Sequence, residues 1–193
     1  PNAACTFTLR EGRTSQVIHD VVTRESQLGI LFLSHMNARF LKDLFHKNKL
    51  EFTPLCAFTP CLYVRSGHPL AEFSHVVPGQ FSSYPCVRFE QGHDKSQFSE
   101  ELLLPNRASR QCIYVTDRST LFSIIRATDA YTIGTGHAAP SIIGRHLAVI
   151  PIENPLDTMT VGWIKMAGEP LSEEASHYIT ILTDLLRGRE NKE

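Results

Sequence analysis

Arg65-Ser66-Gly67-His68-Pro69-Leu70-Ala71 is the stretch whose reading decides the fold. It follows Cys61-Leu62-Tyr63-Val64, an apolar run with β-branched and aromatic side chains that reads as a buried strand opened by Pro60. Ser66-Gly67 breaks that strand, and Pro69 keeps His68 out of helical geometry. A strand that ends so abruptly suits a crossing between two packed units. A second stretch repeats the form far downstream: Val161-Gly162-Trp163-Ile164-Lys165-Met166-Ala167-Gly168, then Glu169-Pro170-Leu171-Ser172. Two crossings imply two lobes. Lobe one takes residues 1–63 plus 166–193, lobe two takes 69–160, and the crossings fall at 64–68 and 161–165. A cleft between lobes joined by paired strands is a ligand site that can close by a hinge.

The rest of the chain supplies the elements. Cys5-Thr6-Phe7-Thr8-Leu9 alternates like a short strand, and Thr14 or Ser15 then caps a helix with Val17, Ile18, Val21 and Val22 on one face. Gln27–Leu33 is continuously apolar, as expected of a parallel strand covered on both faces. Asn37 is placed to cap a second helix striped by Phe40, Leu41, Leu44 and Phe45. Leu50–Ala57 reads as a strand that Pro54 confines to an edge or a bulge. This strand–helix grammar repeats further on: strands at 84–89, 111–116, 130–134 and 147–152, and helices at 96–104, after Asp117 or Ser119, and after Pro140. Met159–Lys165 carries the chain back, and Ser172-Glu173-Glu174 opens a last helix striped by Ala175, Ile179, Leu182 and Leu186.

Several of these stretches together resemble one known family. Gly67-His68-Pro69-Leu70-Ala71 is similar to the signature at the inter-lobe crossing of the effector-binding domain of LysR-type transcriptional regulators. The run from Pro1 to Gly12 looks like that family's second strand, and Glu25-Ser26-Gln27-Leu28-Gly29-Ile30-Leu31-Phe32 takes the place of a later one. Thr116–Gly136 is similar to its strand–helix–strand unit. The order and spacing of these stretches carry the resemblance. It implies an α/β fold of two Rossmann-like lobes joined by two crossing strands, like a type 2 periplasmic binding protein. It also implies that the family's first strand–helix unit and its winged helix-turn-helix domain would lie ahead of Pro1. The sequence departs from the family at Thr135, where Pro is common, and at Gln27, where Asp is common.

Composition narrows the function classes. Net charge is -1 over 193 residues, so the chain carries no electrostatic footprint for nucleic acid. No run of 18 or more apolar residues suggests a membrane span, and no start reads as a signal peptide. Five cysteines without metal or CxxC spacing read as reduced thiols of a cytoplasmic protein. The histidine spacings give no metal site, and no GxSxG elbow or phosphate-binding glycine motif is present. No cofactor, metal or enzymatic activity is expected.

Candidate ligand residues sit at expected strand ends, where open α/β sheets bind ligands. Thr116-Asp117-Arg118-Ser119-Thr120 joins a strand to a helix, so Thr116 and Ser119 offer hydroxyls beside unpaired first-turn amides; the same residues also serve as an N-cap. Gly134-Thr135-Gly136 lets backbone approach a ligand closely or makes a loop turn. Glu90 and Ser34 end strands in the two lobes, and Thr59 precedes the first crossing. The resemblance places such positions in the effector cavity, giving Ser34, Thr59, Glu90, Thr116, Ser119, Gly134 and Thr135, with no catalytic and no metal residue. It implies a regulatory domain that senses a small metabolite, often an organic anion, pairs into homodimers or homotetramers, and reaches DNA only through the upstream domain. A solute-binding protein delivering a ligand to a transporter is the rival with the same fold; the missing signal peptide and the cysteines weigh against it.

Overall fold

The structure is a computed structural model that describes residues 6–92, 98, 111–136, 144–153 and 158–190. In chain order these form α1 (Thr14–Val22), β1 (Gly29–Leu33), α2 (His35–Lys47), β2 (Leu50–Phe58), β3 (Cys61–Arg65), a 3-10 turn (Pro69–Glu72), α3 (Pro78–Phe81), β4 (Cys86–Phe89), β5 (Cys112–Val115), α4 (Arg118–Ala127), β6 (Thr132–Gly134), β7 (Leu147–Pro151), β8 (Met159–Met166) and α5 (Glu173–Glu190).

Two sheet groups result. The first has the order β1-β8-β2, with β8 antiparallel to both neighbours. The second has β3 between β6 and β7, and β4 paired in parallel with β5. A parallel bridge from Cys86 to Tyr131 brings the β4–β5 pair alongside β6. Each group has its own core. Ile18, Val21, Leu31, Leu41, Phe45, Leu50 and Ile164 fill the first. Leu62, Val64, Leu70, Val76, Phe81, Tyr131 and Ile150 fill the second, and Val87, Val115, Leu121 and Ile125 continue it under α4. Each such side chain contributes roughly 1.5–3 kcal/mol when fully buried.

Several expectations are corrected. Both crossings move: β3 is the middle strand of the second sheet from Cys61 onward, and β8 is the middle strand of the first from Met159 onward. The chain therefore changes sheets at residues 59–60 and again between Ile152 and Met159, because the apolar runs read as crossings are ladder strands. β1 is not parallel to its partner; apolar runs report burial, and burial does not encode strand direction. Thr6–Arg13 forms no strand, and Phe7 and Leu9 stand 68% and 87% exposed. No described strand lies beside it to complete its hydrogen bonds. Arg13, rather than Thr14 or Ser15, is the N-cap of α1. Pro78-Gly79 starts the one-turn helix α3. Phe98, assigned to lobe two, stacks edge-on against Phe40 at 5.1 Å in the first core. The rest of the expected helix at 96–104 and the helix after Pro140 lie outside the described residues.

Other local expectations hold. Pro54 sits on the outer strand β2, and the register slips between Pro54 and Cys56, so the bulge tolerates its missing N–H. Asp117 caps α4, its carboxylate accepting from the Thr120 hydroxyl at 2.7 Å and from Thr120 N at 2.8 Å, and those bonds hold its pKa below the ordinary carboxylate value.

The Arg65–Ala71 turn is pinned at both ends. The Arg65 guanidinium pairs with Asp129 at 2.6 Å, and the Ser66 amide donates to His146 O. The buried His68 ring accepts from Leu70 N through Nδ1 at 3.0 Å, while Nε2 lies 3.2 Å from Asp129 O and donates to it. That tautomer is neutral. Burial pushes the His68 pKa down, against the raising effect of Asp129. A depressed folded-state pKa means that the unfolded chain takes up the proton first. The stabilisation is complete above the ordinary histidine pKa of about 6.5 and is lost as pH falls below it. Melting curves from pH 8 down to 5 should therefore show a steeper loss of stability in the wild type than in His68→Gln. Parallel curves would show that His68 is not desolvated.

Gly162 is the second constraint. A Cβ there would lie 2.3 Å from Phe52 Cζ and 2.6 Å from the Thr53 carbonyl oxygen. Gly162→Ala forces the β2–β8 pairing apart and should cost about 1–3 kcal/mol, measurable as a lower urea midpoint. An unchanged midpoint would mean that Phe52 and the β2 backbone move aside freely.

Candidate functional site

Two polar surfaces face outward from strand ends, one in each sheet group. In the first, β1 runs into α2. Ser34 is the N-cap, and its amide donates to Asn37 Oδ1 at 2.8 Å. Asn37, expected as the cap, instead stands at the third helical position, where it clamps the cap residue. Sequence alone leaves this swap open, because both residue types cap well. Ser34 and Asn37 are almost fully buried, yet Ser34 Oγ and Asn37 Nδ2 have no hydrogen-bond partner among the described residues. Such groups cost roughly 1–3 kcal/mol each when left unsatisfied. Ser34 lines a cavity of about 440 Å³ with His35, Lys42, Pro54, Thr158 and Thr160. The N-terminus of a 13-residue helix, two threonine hydroxyls and a lysine thus surround a space large enough for a small metabolite. A smaller hollow of about 190 Å³ lies beside α1, where Arg24 and Glu169 already pair at 2.6 Å.

The second surface gathers most of the remaining candidates. The ends of β4, β5 and β6 bring Glu90, Thr116, Ser119, Gly134 and Thr135 to one edge of the second group. Thr116 and Ser119 are exposed there; Glu90, Gly134 and Thr135 are half-buried. A Cβ at Gly134 would come within 2.9 Å of Tyr63, so that glycine lets the phenol ring lie flat against the strand end. The Tyr63 oxygen is bonded to Thr135 and accepts from the Gly136 amide, and burial pushes its pKa up to about 12, so it stays neutral. Thr59 is brought to neither surface; it is an exposed residue of the β2–β3 connection.

Charged residues that the hydroxyl search passed over dominate this edge. Arg118 stacks over the Phe89 ring at 5.9 Å and donates to Glu11 at 2.6 and 2.8 Å. Glu90 pairs with Arg13 and accepts from Gly92 N at 2.8 Å. Glu11 and Arg13 precede α1, so two ion pairs span from the first group to the second. The charges of Glu11-Gly12-Arg13 and of Arg118 inside the strand-to-helix stretch were the available signal. Among the described residues no group of three or more His, Cys, Asp or Glu is placed to hold a metal ion. Among them, too, no helix is long and apolar enough to cross a membrane.

The fold has clear structural relatives. A LysR-family transcriptional regulator from Pseudomonas aeruginosa superposes with a TM-score of 0.64 at 11% identity, over 92% of this chain and 60% of that one. The effector-binding domain of QuiR, solved in complex with shikimate, gives 0.65 at 17% identity, over 93% and 79%. The regulatory domain of CcmR from Synechocystis PCC6803, solved with 2-PG, gives 0.60 at 14% identity, over 90% and 79%. The chain spans about three-fifths of the Pseudomonas regulator's length. No curated protein matches it. The sequence matches the LysR substrate binding domain from residue 3 to residue 187, and the chain belongs to that family.

Proposed function

We propose that this domain senses a small organic anion for a transcriptional regulator. The observation that carries the reading is the start of α2, where Ser34, whose buried hydroxyl has no partner among the described residues, lines a cavity of about 440 Å³ with His35 and Lys42. A carboxylate or phosphate there accepts from Ser34 and from the positive end of the helix, with Lys42 adding charge. Relatives of this fold were solved with shikimate and with 2-PG, both in keeping with such a site. The second surface closes over the ligand from the other lobe: Arg118 and the Thr116, Ser119 and Thr135 hydroxyls supply further donors, and Gly134 lets backbone come close. Glu90 holds Arg13 in place rather than meeting an anion directly. Thr59 stays outside the contact set.

The mechanism is a shift of population. A ligand that touches both lobes favours the closed arrangement by its differential affinity and by nothing else. In the complete, cytoplasmic regulator, paired copies of the domain pass that shift to DNA-binding domains.

Titration calorimetry of the chain against shikimate, 2-PG and simple dicarboxylates tests the reading. A binding anion should lose about tenfold in affinity in Ser34→Ala, the worth of one hydrogen bond to a charged group. Equal affinities in wild type and Ser34→Ala would move the site elsewhere. Chemical conversion of the ligand would replace the sensor reading with an enzyme.

A further inference from the structure

Cys86 opens β4 and Cys112 opens β5, and the two are direct partners in the parallel pairing of these strands. Paired residues of adjacent strands project from the same face, and neighbouring strands lie about 4.8 Å apart. That spacing falls inside the roughly 4.4–6.8 Å found between the Cα atoms of a disulfide. Both residues are thiols here. Their surroundings differ. Cys112 is exposed, whereas Cys86 is only 1% exposed. Two residues along the same strand face, the buried Arg88 donates from Nε to Cys86 Sγ at 3.3 Å. A guanidinium in that position favours the thiolate over the thiol. The remaining described cysteines are not so matched: Cys56 pairs with Val161, and Cys61 with Gly134 and Pro151.

We propose that Cys86 and Cys112 are a redox-active pair that closes to a disulfide when the chain meets hydrogen peroxide. The Cys112 thiolate attacks one peroxide oxygen, the O–O bond breaks, and hydroxide leaves with the electron pair, giving a sulfenic acid. The Cys86 thiolate then attacks that sulfur, the S–S bond forms as the S–O bond breaks, and a second hydroxide leaves. The two protons released by the thiols convert both hydroxides to water. Two thiols are oxidised and one peroxide is reduced. Closure draws together side chains that parallel pairing holds at strand spacing, which strains the bond and leaves it easily reduced by small thiols.

The chain's own cleavage sites make the test direct. Trypsin releases Cys86 in the peptide 66–88 and Cys112 in 111–118, while Cys56 and Cys61 share 50–65. The wild-type chain is treated with equimolar hydrogen peroxide, quenched in acid, denatured, alkylated and mapped without reduction. A cross-linked 66–88/111–118 species that dithiothreitol abolishes is expected. In Cys86→Ser it should be absent, with a sulfenic-acid adduct trapped on Cys112. Arg88→Lys, which keeps the charge but moves the donor, should slow the cross-link several-fold at unchanged Cys112 oxidation. A Cys112 that oxidises while Cys86 remains alkylatable in the wild type would overturn the proposal. Linkage of Cys112 to the 50–65 peptide or to a second chain would do the same. The wild-type map stands whether or not the variants fold, and it is independent of which anion the cleft binds.

Discussion

Both edges of β8 are hydrogen-bonded, to β1 on one side and β2 on the other, and this sandwiching governs the architecture. β1 and β2 come from the first third of the chain, and β8 arrives only after the second sheet group has been built. The first sheet is therefore incomplete until the chain has left, folded elsewhere and returned. Ile152 N donates to Pro60 O at 3.2 Å, which carries the β3–β7 pairing one step further toward the β2–β3 connection. Phe32 of β1 packs on the core cluster that contains Met159 and the second-group residues.

The contacts that oppose opening are of a different kind. Glu11–Arg118 and Arg13–Glu90 join exposed or half-exposed side chains. Ion pairs in that setting are worth about 0–1 kcal/mol each and weaken with salt. They bias the cleft without locking it. Segment 10–13 contributes these groups while forming no regular structure, so its place is set by side-chain charge rather than by a ladder.

That contrast also explains what could be read from the sequence. β3, β6, β7 and β8 were legible because each is a short apolar run bounded by Pro, Gly or polar residues, and burial leaves that mark. Strand direction was not legible: Gly29–Leu33 is apolar whether its neighbour runs parallel or antiparallel. Cys5–Leu9 alternates like a strand, but alternation supplies no partner. At the candidate site, hydroxyls and glycines at strand ends were found because the rule about carboxyl ends points at them. Arg118, Glu11 and Arg13 were passed over, because an ion pair between residues 107 positions apart leaves no local pattern. Thr59 lies in the β2–β3 connection as an exposed residue, away from both polar surfaces.

The strand pair β4–β5 links the site to the rest of the second group. Glu90 lies four residues after Cys86, and Thr116 four residues after Cys112, so each strand carries one thiol at its start and one site residue at its end. Four residues of extended chain span about 13 Å and bend little. Any change in how the two starts sit against each other must therefore reappear as a relative shift of the two ends. Val87 and Val115 are buried beneath α4, so the pair cannot absorb that shift by sliding its apolar face. The N-terminus of α4 follows Thr116 directly and bears Arg118, so the same shift reaches the guanidinium that meets Glu11. The Glu11–Arg118 contact and the register of β4–β5 are in this way one mechanical unit.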